Sequence, residues 1–361
     1  MATQFEIDCA LMVGAAYISS RPEINQLPVP KNWTDLDRHE TSPSGFEAVS
    51  FKNGNEIVIS FAGTDPKDLS GDVATDVTLA AGDSSPQLRE AALYYCRVMA
   101  DYADNPNLKI TLTGHSLGGG LASLIGVFFD ARAVTFDQAP FRKAALNPQV
   151  KQNLLDYLRE NNVSEAILTK LITYSADASG LDSRDGNVTY QSVQGEFLSS
   201  LPNHIGIAKS DLTHGTPDAG SVNLHSMALL TAFLESDDFR QITTKLPDLL
   251  RMVFDDKFYN FPTNKPSTNE NFIDRLVRHE SGTAPGAVDS DMLTRFTRDL
   301  DKIAQDGGLT MTNNNLTKRL VAFAMQAYYT DRLAAGKELF GTEGVSGAIW
   351  WIGTSRPAAE A

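Results

Sequence analysis

The stretch "KITLTGHSLGGGLASLIGVFF", residues 109–129, places Ser116 between Gly114 and Gly118. β-favouring residues lead into the glycines, and an apolar, glycine-rich run follows at once. A Gly-x-Ser-x-Gly pentapeptide alone is common. In a strand–turn–helix context it is the pattern of a nucleophile elbow, where a cramped corner pushes a serine hydroxyl outward at the start of a helix. Small residues at Gly114 and Gly118 let strand and helix pass without collision. The amide of Leu117, in the first helical turn, is then a donor for a developing oxyanion.

A second donor is expected from the end of another strand. "EIVISFAGTD" supplies one, with Thr64 following Ala62-Gly63 and adding a hydroxyl of its own. The alternative is an ordinary turn in which Asp65 caps what comes next. The serine also needs a base within hydrogen-bond reach and a carboxylate to orient that base.

The elements that would position these groups can be read along the chain. Residues 7–20 have apolar positions at helical spacing. The connector "RPEINQLPVPKNW" carries Pro22, Pro28 and Pro30. "GFEAVSFKNGNEIVISFAGTD" predicts a hairpin turning at Asn53-Gly54. "SPQLREAALYYCRVMADYAD" predicts a helix capped by Ser85 with Pro86 in its first turn. "LKITLT", "ARAVTF" and "VTYQSVQ" predict strands. Helices are expected at "NPQVKQNLLDYLRENN", "SEAILTKLI" and "HSMALLTAFLES". Strands and helices thus alternate from about residue 45 to 235, which predicts an α/β fold with a mostly parallel sheet flanked by helices. After residue 235 only amphipathic helical patterns follow. The expected division is therefore 1–235 for the catalytic domain and 236–361 for a helical C-terminal region, read as a cap packed on that domain. "GAIWWIG" near the end reads as a packed anchor.

The pair "ISFAGTD" and "LTGHSLGGGLASL" resembles the class 3, fungal-type triacylglycerol lipase family, over roughly residues 7 to 235. Ala62 stands where that family often has Arg, and Asp137 where the related strand usually runs into Gly, as in a distant bacterial-like branch. The resemblance implies an α/β-hydrolase fold, a Ser-acid-His triad and carboxylic-ester hydrolysis. Carried over by position, Ser116 is the nucleophile, with Thr64 and Leu117 as the oxyanion donors.

In that fold the chain order is serine, acid, histidine. The order removes His39 and leaves His204, His214, His225 and His279, while His115 supports the turn. His279, in "LVRHESG", reads as solvated, and His214 as a loop residue. His204 is a modest candidate. His225, in "SVNLHSMALL", stands where a loop meets an apolar helix, as the catalytic histidine does in class 3 lipases, and is the expected base. Eleven carboxylates lie between Ser116 and His225. "VTYQSVQGEFLSSLP" resembles the family's strand, short turn and Leu-Pro segment, which makes Glu196 the expected acid, at a position where the family usually has Asp. Asp137 and Asp177, each at an expected strand end, stay open as alternatives. The segment after the oxyanion residues, "DPKDLSGDVATDV", is where the family carries a lid. It has one large apolar residue before Val73, Leu69, which is too few for an amphipathic lid. The acyl pocket could instead be walled by the C-terminal helices or by Leu27, Val29 and Trp33.

Charge and composition narrow the partners. A net charge of −14 and a pI near 4.9 disfavour nucleic acid and anionic surfaces and leave a neutral ester or lipid as substrate. Cys9 and Cys96 lie in apolar stretches and read as buried thiols. Neither they nor the histidines form a metal-binding spacing, so no metal or organic cofactor is expected. The first twenty residues lack a basic start, and no stretch approaches the length of a membrane span. These features predict a cytoplasmic protein or one exported without an N-terminal signal. The expected function is lipase or esterase. Phospholipase A1 is a close alternative, and a non-catalytic binding module on the same fold is a distant one.

Overall fold

The computed structural model describes residues 2–18, 21, 26–63, 85–216, 219–254, 272–281, 292–306 and 314–329. Thr64, the lid segment and the "GAIWWIG" run lie outside them.

The chain opens with α1 (Gln4–Ala15), capped by Thr3 in a reciprocal pair with Glu6. Strands β1 (Thr34–His39), β2 (Ala48–Asn53) and β3 (Glu56–Phe61) then form an antiparallel meander. The β2–β3 turn is centred on Gly54-Asn55, one residue later than expected. Asn53 pairs with Glu56, and Gly54 takes the positive φ of 58°. Strand β1, "TDLDRH", was not expected. Its residues are mostly exposed, as suits the edge of a sheet.

After α2 (Pro86–Asp101), capped by Ser85, the pairing becomes parallel. Strands β4 (Lys109–His115), β5 (Arg132–Phe136), β6 (Val188–Gln191) and β7 (Ile207–Ala208) follow in chain order, so the sheet runs β1 to β7 without a crossover in its order. Strands β3, β4 and β5 are buried on both faces over most of their length, whereas β6 is largely half-buried and β7 is exposed. Between β4 and β5 runs α3 (Leu117–Phe129), buried along its whole length. Leu121, Leu124, Ile125 and Phe128 belong to one core with Ile57 and Ile59 of β3 and Leu112 of β4. At about 25 cal/mol per Å² of apolar area, this two-sided burial is the main force holding the sheet flat against its helices. Helices α4 (Arg142–Ala145), α5 (Pro148–Glu160), α6 (Glu165–Thr173) and α7 (Ala178–Asp185) separate β5 from β6. Cys9 and Cys96 are buried free thiols, and Leu27 and Trp33 are core residues.

Short α8 (Ser221–Leu224) precedes α9 (Met227–Glu235). The remaining described helices are α10 (Asp237–Lys245), α11 (Leu249–Val253), α12 (Phe272–Glu280), α13 (Met292–Asp306) and α14 (Asn314–Tyr329). The break between α10 and α11 falls at Leu246-Pro247, where proline cannot continue a helix. The chain forms two compact units. The first holds residues 1–212 and 221–231, and the second 213–220 and 232–361. In the second unit Phe296 stacks edge-on to Phe272 and Tyr328, each ring 5.1 Å away. The Tyr328 hydroxyl donates to the buried Asp299 at 2.6 Å. Among the described residues no helix is long and apolar enough to cross a membrane.

Candidate active site

The register of the parallel strands brings their carboxyl ends to one edge: Phe61 pairs with Gly114, and His115 with Phe136, which pairs with Gln191. Residues that follow these ends are therefore neighbours in space although far apart in sequence. This is the edge at which open α/β sheets hold their ligands.

Ser116 follows β4 directly and has φ 57°, ψ −126°, a backbone region that side chains other than glycine rarely adopt. The surroundings enforce it. Its amide donates to the Phe136 carbonyl at 3.2 Å, and its carbonyl accepts from Ala139 at 2.9 Å and Gly120 at 3.0 Å. The flanking glycines are sterically required. A Cβ on Gly114 would come within 2.4 Å of the Gly118 backbone, and one on Gly118 within 2.1 Å of the Phe61 carbonyl oxygen. Ser116 caps α3 by position, but its side chain makes no capping hydrogen bond. The Leu117 amide, in the first turn of α3, has no intrahelical acceptor. Gly63 lies against the elbow: a Cβ there would be 3.2 Å from Ser116 Cβ and 2.8 Å from the His115 carbonyl oxygen. Thr64, the next residue, lies outside the described residues.

Glu196 sits in the turn after β6. Gly195 makes that turn with φ 81°. The Glu196 side chain is buried, and its Oε2 accepts from the Leu198 amide at 2.8 Å. The same oxygen accepts from His225 Nδ1–H at 2.7 Å. His225 occupies the corner between α8 and α9, its own amide donating to the Val222 carbonyl at 3.2 Å. Its ring is packed between His115, 4.4 Å away centroid to centroid, and Phe197, at 4.3 Å. His115 is the chain neighbour of Ser116, so the Glu196–His225 pair stands beside the elbow. With Nδ1 held by the carboxylate, the tautomer leaves a lone pair on His225 Nε2, which is buried and has no hydrogen-bond partner.

The two other carboxylate candidates part company. Asp177 is exposed and caps α7 by accepting from the Gly180 amide at 2.8 Å; the Ser175 hydroxyl, and then that amide, hold its pKa below the usual carboxylate value. Its role is local to that helix. Asp137, directly after β5, is fully buried at φ 40°, and its Oδ1 accepts from the Val193 amide at 3.0 Å. Its Oδ2 lies 3.6 Å from His115 Nε2. His115 is itself buried, with Nδ1 3.2 Å from the Tyr17 hydroxyl. Tyr17 carried no sequence signal, because nothing local links the end of α1 to the elbow.

Burial sets the protonation of this cluster. It lowers the His115 pKa to about 3, helped by the positive charge of Arg21. Burial also lowers that of His225, and neighbouring His115 adds to this, while the hydrogen bond to Glu196 works the other way. Asp137 is pushed well above the ordinary carboxylate range by burial and then by the negative charge of Glu196. Burial thus favours the neutral imidazole on both histidines and the neutral carboxyl on Asp137. A neutral imidazole oriented by a carboxylate beside a strained serine can take a proton from that serine.

His204 packs on Tyr190 at 5.3 Å. His279 is half-buried on α12 rather than solvated, because the apolar side of that helix is packed. His214 belongs to the second unit.

Comparison with known proteins bears on this edge of the sheet. A family model described as a Tle-like phospholipase domain matches residues 17–223. The chain belongs to this phospholipase-like family. The match takes in "ISFAGTD", the elbow and Glu196, and ends two residues before His225. An extracellular phospholipase A1 of Serratia liquefaciens is 33% identical over 104 residues, 29% of this chain and 30% of that protein. The chain thus aligns with less than a third of that curated relative's length. Among solved structures, a mutant form of MDLA from Penicillium cyclopium matches with a TM-score of 0.36 and 12% identity, covering 60% of this chain and 81% of that one. The native propeptide complex of Rhizomucor miehei lipase matches with a TM-score of 0.33 and 13% identity, covering 59% and 70%. The phospholipase-like domain is therefore carried mainly by the first compact unit, where the buried cluster also lies.

Proposed function

We propose that this chain hydrolyses carboxylic esters of lipids through an acyl-enzyme on Ser116. The supporting observation is the Glu196–His225 hydrogen bond of 2.7 Å, buried beside a serine held at φ 57°. In this reading His225 Nε2 takes the Ser116 proton as Oγ attacks the ester carbonyl. The Leu117 amide and the Thr64 amide donate to the oxyanion in this reading; Gly63, the residue before Thr64 in the sequence, packs on Ser116. Collapse of the tetrahedral intermediate returns the proton to the leaving alcohol. Water, deprotonated by the same histidine, then attacks the acyl-enzyme and releases the acid. Residues 1–235 are assigned the chemistry in this proposal, and residues 236–361 are a separate helical region.

Family membership favours a phospholipid as the ester, cleaved at an acyl bond as the name of the Serratia relative indicates for that protein. The test compares wild type and Ser116→Ala on p-nitrophenyl esters, triglyceride and diacyl phospholipid. Loss of all ester hydrolysis in a folded Ser116→Ala protein is expected, with phospholipid the best natural substrate. Retained turnover refutes the serine mechanism. A preference for triglyceride returns the chain to the lipase reading.

A further inference from the structure

Besides the hydrogen-bonded pair, the cluster holds a second constellation that ester hydrolysis does not require. One ligating atom from each of His115, Asp137 and His225 lies within 4.8 Å of the other two. His115 Nε2, Asp137 Oδ2 and His225 Nε2 are each buried and without a hydrogen-bond partner. Both histidines have Nδ1 already engaged, His115 by the Tyr17 hydroxyl and His225 by the Glu196 carboxylate. Holding Nδ1 in this way is how proteins orient a histidine whose Nε2 binds a metal.

From this geometry we infer that His115, Asp137 and His225 form a binding site for a borderline transition-metal ion of the Zn²⁺ class, and that the bound ion inhibits the enzyme. The inhibitory half rests on the reading of His225 as the base. Two imidazole nitrogens and one carboxylate oxygen suit zinc rather than the hard, all-oxygen preference of Ca²⁺ or Mg²⁺. Ligands at about 2.0–2.1 Å from a tetrahedral ion are about 3.4 Å apart. The His115–Asp137 pair, at 3.6 Å, is already near that spacing. The remaining separations close by at most about 1.4 Å, within the reach of ring rotations. An ion here takes the His225 Nε2 lone pair that would accept the serine proton. One coordination position stays open for water. The three ligands come from the ends of β4 and β5 and from the α8–α9 corner, which is why no spacing in the sequence signals them.

The test uses the full-length protein and two probes. Co²⁺ reports binding through the visible absorption of a four-coordinate site, and Zn²⁺ reports inhibition of p-nitrophenyl ester hydrolysis. One Co²⁺ per chain, displaced by Zn²⁺, with hydrolysis lost in proportion to occupancy and restored by a chelator, is the expected result. Asp137→Asn, which keeps the acceptor for Val193, should weaken binding at least about tenfold and release the enzyme from zinc inhibition. His115→Phe, which conserves ring packing, is the second ligand variant. Absence of binding, binding unchanged in a folded Asp137→Asn protein, or full activity with one ion bound overturns the inference. The absorbance arm is repeated on Ser116→Ala, so it reads the site even if the protein hydrolyses no ester. Active enzyme that binds no ion refutes this inference alone.

Discussion

Replacing Glu196 by Gln removes one charge from a buried pair and keeps the side-chain volume. The carboxylate accepts from His225 at 2.7 Å, and both side chains are almost fully buried. When His225 takes the serine proton, the transition state gains the attraction between imidazolium and carboxylate. For charge centres about 4 Å apart at an effective dielectric of about 20, that attraction is about 4 kcal/mol. At about 1.36 kcal/mol per decade, its loss slows acylation about a thousandfold. The Leu198 amide, which donates to the same oxygen, selects the carbonyl end of the new side chain at that position, so Nδ1–H keeps an acceptor and the loss is that of the charge. The assay is kcat/KM on a soluble p-nitrophenyl ester, with circular dichroism to confirm the fold and Asp137→Asn alongside. Asp137 lies beside His115 rather than on His225 Nδ1, so its Asn variant should stay within about tenfold of wild type. A folded Glu196→Gln enzyme within tenfold of wild type refutes the assignment. The reverse pattern would move the acid to Asp137.

The same contacts predict other outcomes. Gly118→Ala drives a methyl into the Phe61 carbonyl at 2.1 Å, where only backbone can give way, so a large fall in thermal midpoint or failure to accumulate as folded protein is expected. A midpoint within a few degrees of wild type would contradict the packing. Burial keeps His225 below the ordinary histidine value of 6.5, and only its neutral form accepts the serine proton. Activity should therefore fall on acidification with a midpoint below 6.5, and a midpoint above it would contradict the burial. Asp137 has its folded pKa raised, so its contribution to stability is present below the unfolded value and is lost as pH rises towards the folded one. Asp137→Asn escapes that loss. In urea melts it should be more stable than wild type at about pH 8, with the gain gone near about pH 4. A gain that grows towards acid would have the sign wrong.

Much of this edge of the sheet was legible because its signals are local. The elbow is a steric pattern confined to five residues, and Gly114 and Gly118 are required by contacts of 2.4 and 2.1 Å that any strand–turn–helix corner of this kind would make. Ser85 and Pro86 announced α2 in the same way. The choice of Glu196 and His225 rests on likeness to a family rather than on any local rule, since each is a lone residue in a loop. What escaped depends on tertiary neighbours. Strand β1 is polar because it is an edge, so its hydropathy resembles a loop. Tyr17 and Asp137 meet at His115 because the chain after α1 and the ends of β4 and β5 converge, and the burial that shifts His115 and Asp137 has no trace in the order of residues. The β2–β3 turn shows the limit at the smallest scale: the sequence places it at Asn53-Gly54, and the pairing of Asn53 with Glu56 puts it at Gly54-Asn55, one residue later.

The central claim is that Ser116 is a nucleophile activated by its place in this cluster. Reaction of the native protein with a fluorophosphonate, followed by intact mass and peptide mapping, tests it most directly. One adduct per chain on Ser116, forming in step with loss of ester hydrolysis and absent from Ser116→Ala, is the predicted result. An active enzyme that takes no adduct, or takes it on another residue, would contradict the account.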